Sequence, residues 1–508
     1  MTATLGPLVQ AADHIRRTPG RNDKVALIAQ ALRAAADEVG LAAAYLAGDP
    51  PQSRLEVGWA TLGELAVPAA AHQTLSLSDV DVALTALAQA GGPGSRTLRQ
   101  KVLTDLYGAA TAAEQEFLYH LILGDMRQGA LTGLVVKGVA QAAAIPEAVV
   151  RRAVMLAADL SQVAVRAMTG GRDAVAEVGL VVGRGVQPML ASTAESVTAS
   201  LAALGTAVVE WKLDGARIQV HKRDDQVTVY TRNLNDITSR SAAVVQVVQA
   251  LDAEALILDG EVLSMGPDGR PWAFQDTISA FSTDTPTDRA QVGLTPFFFD
   301  LLHHDGQDLI DEPLVMRRER LQALVPAIHQ IPGAIVKQPE AGEAVLAQAL
   351  ERGHEGVMIK DLGSSYDAGR RGKAWRKVKP VKTLDLVVLA AEWGSGRRKG
   401  LLSNIHLGAR DGDELVMLGK TFKGMTDVML AWQTERFLSL MTHKDGNVVY
   451  VRPEQVVEIA VDGIQVSRRY PGGVALRFAR VLRYRDDKSL AQIDTLDTVK
   501  GLGTPSRS

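Results

Sequence analysis

Apolar residues recur at three- and four-residue intervals from Met1 to about Met168, in a stretch rich in Ala and Leu with few aromatics. Segments such as KVALIAQALRAAADEVGLAAAYLAG and IPEAVVRRAVMLAADLSQVAVRAM, the latter with Pro146 near its start, predict helices with one buried face. Gly48-Asp49-Pro50-Pro51 and Gly91-Gly92-Pro93-Gly94 predict stops, because neither run sits inside a helix. No fixed-period repeat is visible. The pattern changes after Gly170-Gly171, and from Gly205 onward β-branched residues alternate with polar ones. RIQVHKRDDQVTVYTRN predicts a hairpin turning near Asp224-Asp225-Gln226. EALILDGEVLS, TPFFFDLLHHDG and GVMIKDL predict further strands, with a helix at EPLVMRRERLQALVPAI. A third pattern starts near Thr383, where TLDLVVLAAEWG, NIHLGARDGDELVML and VEIAVDGIQV predict short strands of a small barrel. The order is therefore α, then α/β, then β, with divisions expected at 1–195, 196–382 and 383–508.

Composition narrows the picture. A chain of 508 residues predicts several domains, and 46% hydrophobic with 22% charged residues excludes wholesale disorder. The net charge of −3, taken alone, argues against a nucleic-acid partner. With 0 cysteines, disulfides, thiol nucleophiles and cysteine-held zinc are excluded. No secretory leader is legible in MTATLGPLVQAADHIRRTPGR, and no apolar run reaches the ~18–20 residues that span a bilayer. The expectation is a cytoplasmic protein with no membrane partner.

Seven short segments carry candidate chemistry. In EWKLDGARIQ (210–219), Lys212 stands between an apolar strand and a Gly-containing turn, where a rigid element can present it to a pocket; a surface lysine at a strand end is the bland alternative. Arg232 follows the hairpin in YTRN, which is otherwise a solvated turn. ILDGEVL delivers Asp259 and Glu261 at the end of an apolar run, as metal ligands or acid/base groups are often delivered. In FFFDLL, Phe299 can stack on a flat ligand or simply pack in a core. Glu355 and Lys360 bracket the strand of EGVMIKD. The segment 368–382 holds seven basic residues (Arg370, Arg371, Lys373, Arg376, Lys377, Lys379 and Lys382) and no acidic one. On a strand, Lys377 and Lys379 share a face. In LRFARVLRYRDDK the cations are interleaved with Phe478, Val481, Leu482 and Tyr484, which seat the segment against protein.

Each segment alone is modest, but their order and separation resemble the motif set of covalent nucleotidyltransferases, and more narrowly of ATP-dependent DNA ligases of the cellular replicative type. The motifs span the α/β and β regions; GDMRQGAL (124–131) is similar to part of that family's DNA-binding domain. One departure is R-F-A-R, where Ala479 replaces an expected proline without loss of a charge. Other nucleotide motifs fail. Gly419-Lys420-Thr421 ends like a P-loop, but Glu414 occupies its first glycine position. The spacing of Gly394, Gly396 and Gly400 does not fit a dinucleotide fingerprint, and no histidine completes a zinc motif after His354-Glu355. NAD-dependent DNA ligases are disfavoured by the absence of cysteine.

The resemblance implies a helical DNA-binding domain, an adenylation domain and a C-terminal OB-fold. It also implies three-step sealing of a nick in duplex DNA through lysyl-AMP and adenylated DNA, with ATP as co-substrate and Mg²⁺. Lys212 is then the nucleophile. Glu210 contacts adenine or its flanking strand, Arg217 and Arg232 reach ribose and phosphate, and Phe299 stacks on adenine. Arg371 and Lys377 complete the ATP contacts. Glu261 and Glu355 are suited to Mg²⁺. Lys377, Lys379, Arg217 and the metal are expected to disfavour the charged form of Lys212 and stabilise the α-phosphate. Arg485, Asp487 and Lys488 are expected to orient pyrophosphate when the barrel closes about a hinge at 380–385.

Competing readings are an RNA ligase or RNA-capping guanylyltransferase of the same superfamily, a non-catalytic nick-binding module, and a scaffold with coincidental matches. The intact set Lys212, Glu261, Glu355, Lys377 and Lys379 favours catalysis. One chain can encircle the duplex, so a monomer without an obligate protein partner is expected, nucleoid-associated when acting on DNA. The near-neutral total then reads as an average: 368–382 is wholly basic, and Arg477–Lys488 carries five cations against Asp486 and Asp487.

Overall fold

The computed structural model describes residues 4–52, 55–126, 132–272, 275–277, 294–367 and 371–503, without the Arg371 side chain. Two compact units are present. The first runs to Met189; the second holds the described residues from Leu190 onward apart from Asp367.

The regular elements of the first unit are helices, among them Leu5–Arg17, Arg21–Ala34, Leu77–Gln89, Ser95–Ala109, Glu147–Ala157 and Leu160–Ala176. Their apolar faces meet in one core that includes Leu5, Leu32, Tyr45, Val80, Leu118 and Val150. Starts are set by capping. Ser76 and Asp79, and Thr111 and Glu114, exchange side chain for backbone to satisfy helix N-termini. Two stretches that read as continuous helix are broken. Ala158 turns left-handed (φ 52°) and Asp159 caps the next helix at the Gln162 amide, 3.0 Å away. Likewise a 3₁₀ turn at Ala36–Glu38 separates Arg21–Ala34 from Val39–Ala47. Alanine-rich periodicity conceals such breaks, because alanine tolerates both the helix interior and the turn. Arg127–Leu131 of the GDMRQGAL segment lies outside the described residues.

The second unit begins with two sheets. In chain order the strands are β1 (Leu190–Thr193), β2 (Ala207–Lys212), β3 (Ala216–Arg223), β4 (Gln226–Thr231), β5 (Ala255–Ser264), β6 (Leu294–His304), β7 (Gln307–Asp308), β8 (Gly333–Val336), β9 (Gly356–Asp361) and β10 (Arg371–Val378). One sheet has the order β1-β10-β9-β2-β8 and the other β4-β3-β5-β6-β7. The predicted hairpin forms: β3 and β4 pair through Arg223 and Gln226, with Asp224 left-handed at φ 53° in the turn. Val209, Val357, Ile359 and Val378 of the first sheet join a core with the helices Val197–Leu204 and Pro339–Glu351. Their neighbours along each strand therefore face the other way. Val244, Val248 and Leu321, from helices Ala242–Gln249 and Leu314–Leu324, cover the second sheet.

The chain then forms β11 (Lys382–Trp393), β12 (Leu402–Asp411), β13 (Glu414–Thr421), β14 (Met441–Asp445), β15 (Val448–Val451), β16 (Val456–Val461), β17 (Gly463–Val466), β18 (Val474–Arg477) and β19 (Arg480–Tyr484). Long β11 pairs β16 along its first half, β15 near its end and β12 on its other edge, with a bulge between Val388 and Ala390. Changing partners along one strand curls the sheet into an OB-like form. Helix Asp427–Ser439 packs on it through Leu430 and Phe437. Among the described residues, no helix is long and apolar enough to cross a membrane.

Candidate active site

Lys212 ends β2, and β9 begins beside it: the Glu355 amide donates to the Lys212 carbonyl at 3.0 Å. Directly opposed residues put Glu210, Met358 and Lys377 in one row across β2, β9 and β10, and Val208, Lys360 and Trp375 in the next. One face of this sheet thus carries the acid, the lysines and the tryptophan, and its other face is core. Two glycines permit the approach of the strands. A Cβ at Gly356 would meet the Val378 carbonyl oxygen at 2.2 Å, and one at Gly215 would meet that of Val262 at 2.5 Å. The second sheet contributes Arg217 and Glu261, which face each other across β3 and β5.

The Lys212 ammonium pairs with Glu355, which also accepts from Lys379 at 2.7 Å. Burial opposes charge on Lys212, but Glu355, Glu261 and Asp214 outweigh it and hold the amine above the ordinary lysine range. In the chain alone, the side-chain part of the expected depression by Lys377, Lys379, Arg217 and a metal does not appear. Lys379 is engaged by Glu355 and Arg217 by Asp259, so neither adds an uncompensated positive charge at Lys212. Burial pushes Glu261 up to about 8 despite the nearby Lys212 and Arg217. Desolvation outweighs those two cations, and a divalent cation at Glu261 would bring back its charged form. Among the described residues no group of three or more ligating side chains is preassembled. Two carboxylates are nevertheless enough for a metal that keeps water and phosphate oxygens as its other ligands.

Deeper in the site, Glu210 pairs with Lys360 and, at 3.4 Å, with Arg318. Phe299, 8% exposed, stands edge to face with Trp375 at 5.8 Å, and the Lys360 ammonium lies 4.4 Å from both ring centres. The Arg217 guanidinium is held by the buried Asp259 through Nε at 3.0 Å and Nη2 at 2.7 Å. Arg232 is exposed on the turn after β4, and the backbone of Arg371 opens β10.

The structure does not bring Arg485, Asp487 and Lys488 to Lys212. Asp385 on β11 takes Lys488 at 2.5 Å and Arg485 at 3.3 Å, and Asp487 takes Arg485 at 2.7 Å. The β17–β18 side of the barrel meets the site instead: Arg477 pairs with Asp214 at 2.8 Å, and Asp462 with Lys379 at 3.5 Å. Asp214 stands in the segment singled out at 210–219, but its pairing with Arg477 was not legible, and Asp385 and Asp462 carry no pattern at all. Trp375 lies inside the basic 368–382 segment, where the run of cations draws attention away from a single aromatic.

A lysine held by carboxylates at the end of a strand, with an arginine and a boxed aromatic on two sheets and an OB-like domain following, matches the arrangement implied by the nucleotidyltransferase resemblance. Three family models match this chain: the DNA ligase N terminus over 66–140, the ATP dependent DNA ligase domain over 188–379, and the ATP dependent DNA ligase C terminal region over 398–488. A probable DNA ligase of Saccharopolyspora erythraea is 50% identical, covering 99% of both chains. One of a Nocardioides species is 52% identical, covering 98% of both. The chain belongs to the ATP-dependent DNA ligase family. A solved structure titled Pmar-Lig_PreS3 shares the fold with a TM-score of 0.63 at 19% identity, covering 94% of this chain and 99% of its own.

Proposed function

We propose that Lys212 is the residue through which this ligase carries AMP. The observation that carries the reading is its place at the end of β2, half-buried and paired with Glu355, with the charge of Glu261 nearby. The Lys212 amine, once deprotonated, attacks the α-phosphorus of ATP; the N–P bond forms and pyrophosphate leaves. The 5′-phosphate of the nick displaces Lys212 from AMP, and the 3′-hydroxyl then displaces AMP. Arg217 and Arg232 bind ribose and phosphate, Phe299 stacks on the base, and Glu210 faces its edge. Lys377 and Lys379 meet the charge that grows on the α-phosphate, with Arg371 completing the ATP contacts. Glu261 and Glu355 would hold Mg²⁺, which when bound supplies positive charge to the phosphates and competes with Lys212 for both carboxylates.

Arg485, Asp487 and Lys488 orient pyrophosphate in a second arrangement of the barrel, reached by turning about 380–385. Residues up to Met189 form a helical DNA-binding domain, 190–382 the adenylation domain, to which β1 belongs through its pairing with β10 rather than to the helical region expected to reach 195, and 383–508 the OB-fold. The substrate is nicked duplex DNA, bound by a monomer in the cytoplasm at the nucleoid. The absence of cysteine and the DNA substrate support that location.

Incubation with α-labelled ATP and Mg²⁺, then a chase with nicked duplex, tests the reading. Label is expected first on the protein and then lost as the nick closes. Lys212→Ala is expected to take no label; retained label would show that another residue is the nucleophile.

A further inference from the structure

After β9 the described residues Leu362–Asp367 form no helix or strand, yet several hydrogen bonds fasten them. The chain leaves the first sheet at Asp361 and is held by the start of the helix Leu314–Leu324, which covers the second. The Val315 amide donates to the Leu362 carbonyl at 3.0 Å, and the Leu314 amide to that of Ser364 at 2.9 Å. Arg317 also donates to the Ser364 carbonyl at 2.9 Å while Asp300 of β6 grips its guanidinium at 2.8 and 2.9 Å; both side chains are fully buried. The Tyr366 amide donates to the Ile310 carbonyl at 2.7 Å. The segment is a strap tying the two sheets, and the aspartate of the F-D pair anchors it through Arg317.

Tyr366 closes the strap with its side chain in the site. Its ring stands edge to face with Trp375 at 5.9 Å. Its hydroxyl donates to Asp259 Oδ2 at 2.7 Å, the oxygen that also accepts Arg217 Nη2, and lies 3.3 Å from that same nitrogen. Asp259 has no solvent exposure, so its direction is set only by its bonding partners. A donor on the shared oxygen fixes the plane of the carboxylate, and the two-point bond passes that plane to the guanidinium.

We infer that Tyr366 is a positioning residue for ATP: by fixing Asp259, its hydroxyl holds Arg217 in the orientation that receives the nucleotide. This rests on the reading that Arg217 contacts ATP. Tyr366→Phe removes the hydroxyl and keeps the ring against Trp375. The KM for ATP in forming the lysyl-AMP enzyme is expected to rise about tenfold, the scale of one hydrogen bond to a charged group. The rate at saturating ATP is expected to hold. A purely structural role would lower the labelled fraction and the unfolding midpoint and leave KM alone, and would overturn the inference.

The double variant decides through whom Tyr366 acts. Arg217→Met alone is expected to raise KM, and adding Tyr366→Phe to it to raise KM no further. If the two effects multiply, Tyr366 does not act through Arg217 and the inference falls while the reading of Arg217 stands. If Arg217→Met leaves KM unchanged, the reading of Arg217 fails and the inference with it.

Discussion

At Lys212 the local chemistry runs opposite to the nucleophile's need. The amine must lose its proton, yet Glu355, Glu261 and Asp214 together favour the ammonium. Stored this way, the lysine is unreactive until something competes for the carboxylates. The sign is testable without metal or nucleotide. In metal-free protein an amine-directed acylating reagent is expected to reach Lys212 only above the pH at which ordinary lysines react. Glu355→Gln removes the nearest negative charge and leaves Lys379 beside the site, so it lowers the Lys212 pKa. Modification, read by peptide mass, is therefore expected to move to lower pH in that variant. No shift would mean that Glu355 does not govern the proton on Lys212.

Strand pairing accounts for the rest of the site. β9 lies between β2 and β10, so one register places Glu210, Lys360 and Lys377 on one face. A one-residue slip would turn them into the core, which is why apolar Val357 and Ile359 alternate with them. Register also builds the barrel, but the barrel meets the Lys212 site through ion pairs, Arg477 with Asp214 and Asp462 with Lys379, and further pairs lie within it. Asp385 at the start of β11 neutralises Arg485 and Lys488, the cations proposed to visit pyrophosphate. Asp385→Asn removes the charge of that anchor, and the arrangement in which these cations leave it becomes more accessible. Measured separately, lysyl-AMP formation is expected to gain relative to joining of pre-adenylated nicked DNA. Equal changes in both steps would count against Arg485 and Lys488 orienting pyrophosphate.

Over the whole molecule, a net charge of −3 coexists with a DNA substrate because the cations are concentrated. A nick is a backbone feature without a sequence, so phosphate contacts should dominate recognition. Joining at subsaturating DNA is accordingly expected to fall at least about tenfold between about 50 and 200 mM salt, through counterion release. Lysyl-AMP formation, which needs no DNA, should change far less. A flat response of joining would remove the phosphate-contact account.

The order of helical, mixed and β regions was legible in hydrophobic period alone, since burying one face imposes 3.6- or 2-residue spacing wherever the core lies. The motif residues were legible too, because Lys212, Arg217, Glu261 and Phe299 sit in short segments whose neighbours must be particular residues, as Gly215 must be glycine to let Glu261 approach. Pairings between distant segments were not. Tyr366 with Asp259, Arg317 with Ser364, and Asp385 with Lys488 each join residues far apart in the chain. Nothing local in composition or period marks an isolated tyrosine or aspartate as the partner of another. The proton on Lys212 follows the same rule. Its residue type and place on a strand are local facts, but which charges surround it depends on how two sheets and a barrel come together, and here the acids prevail over the cations.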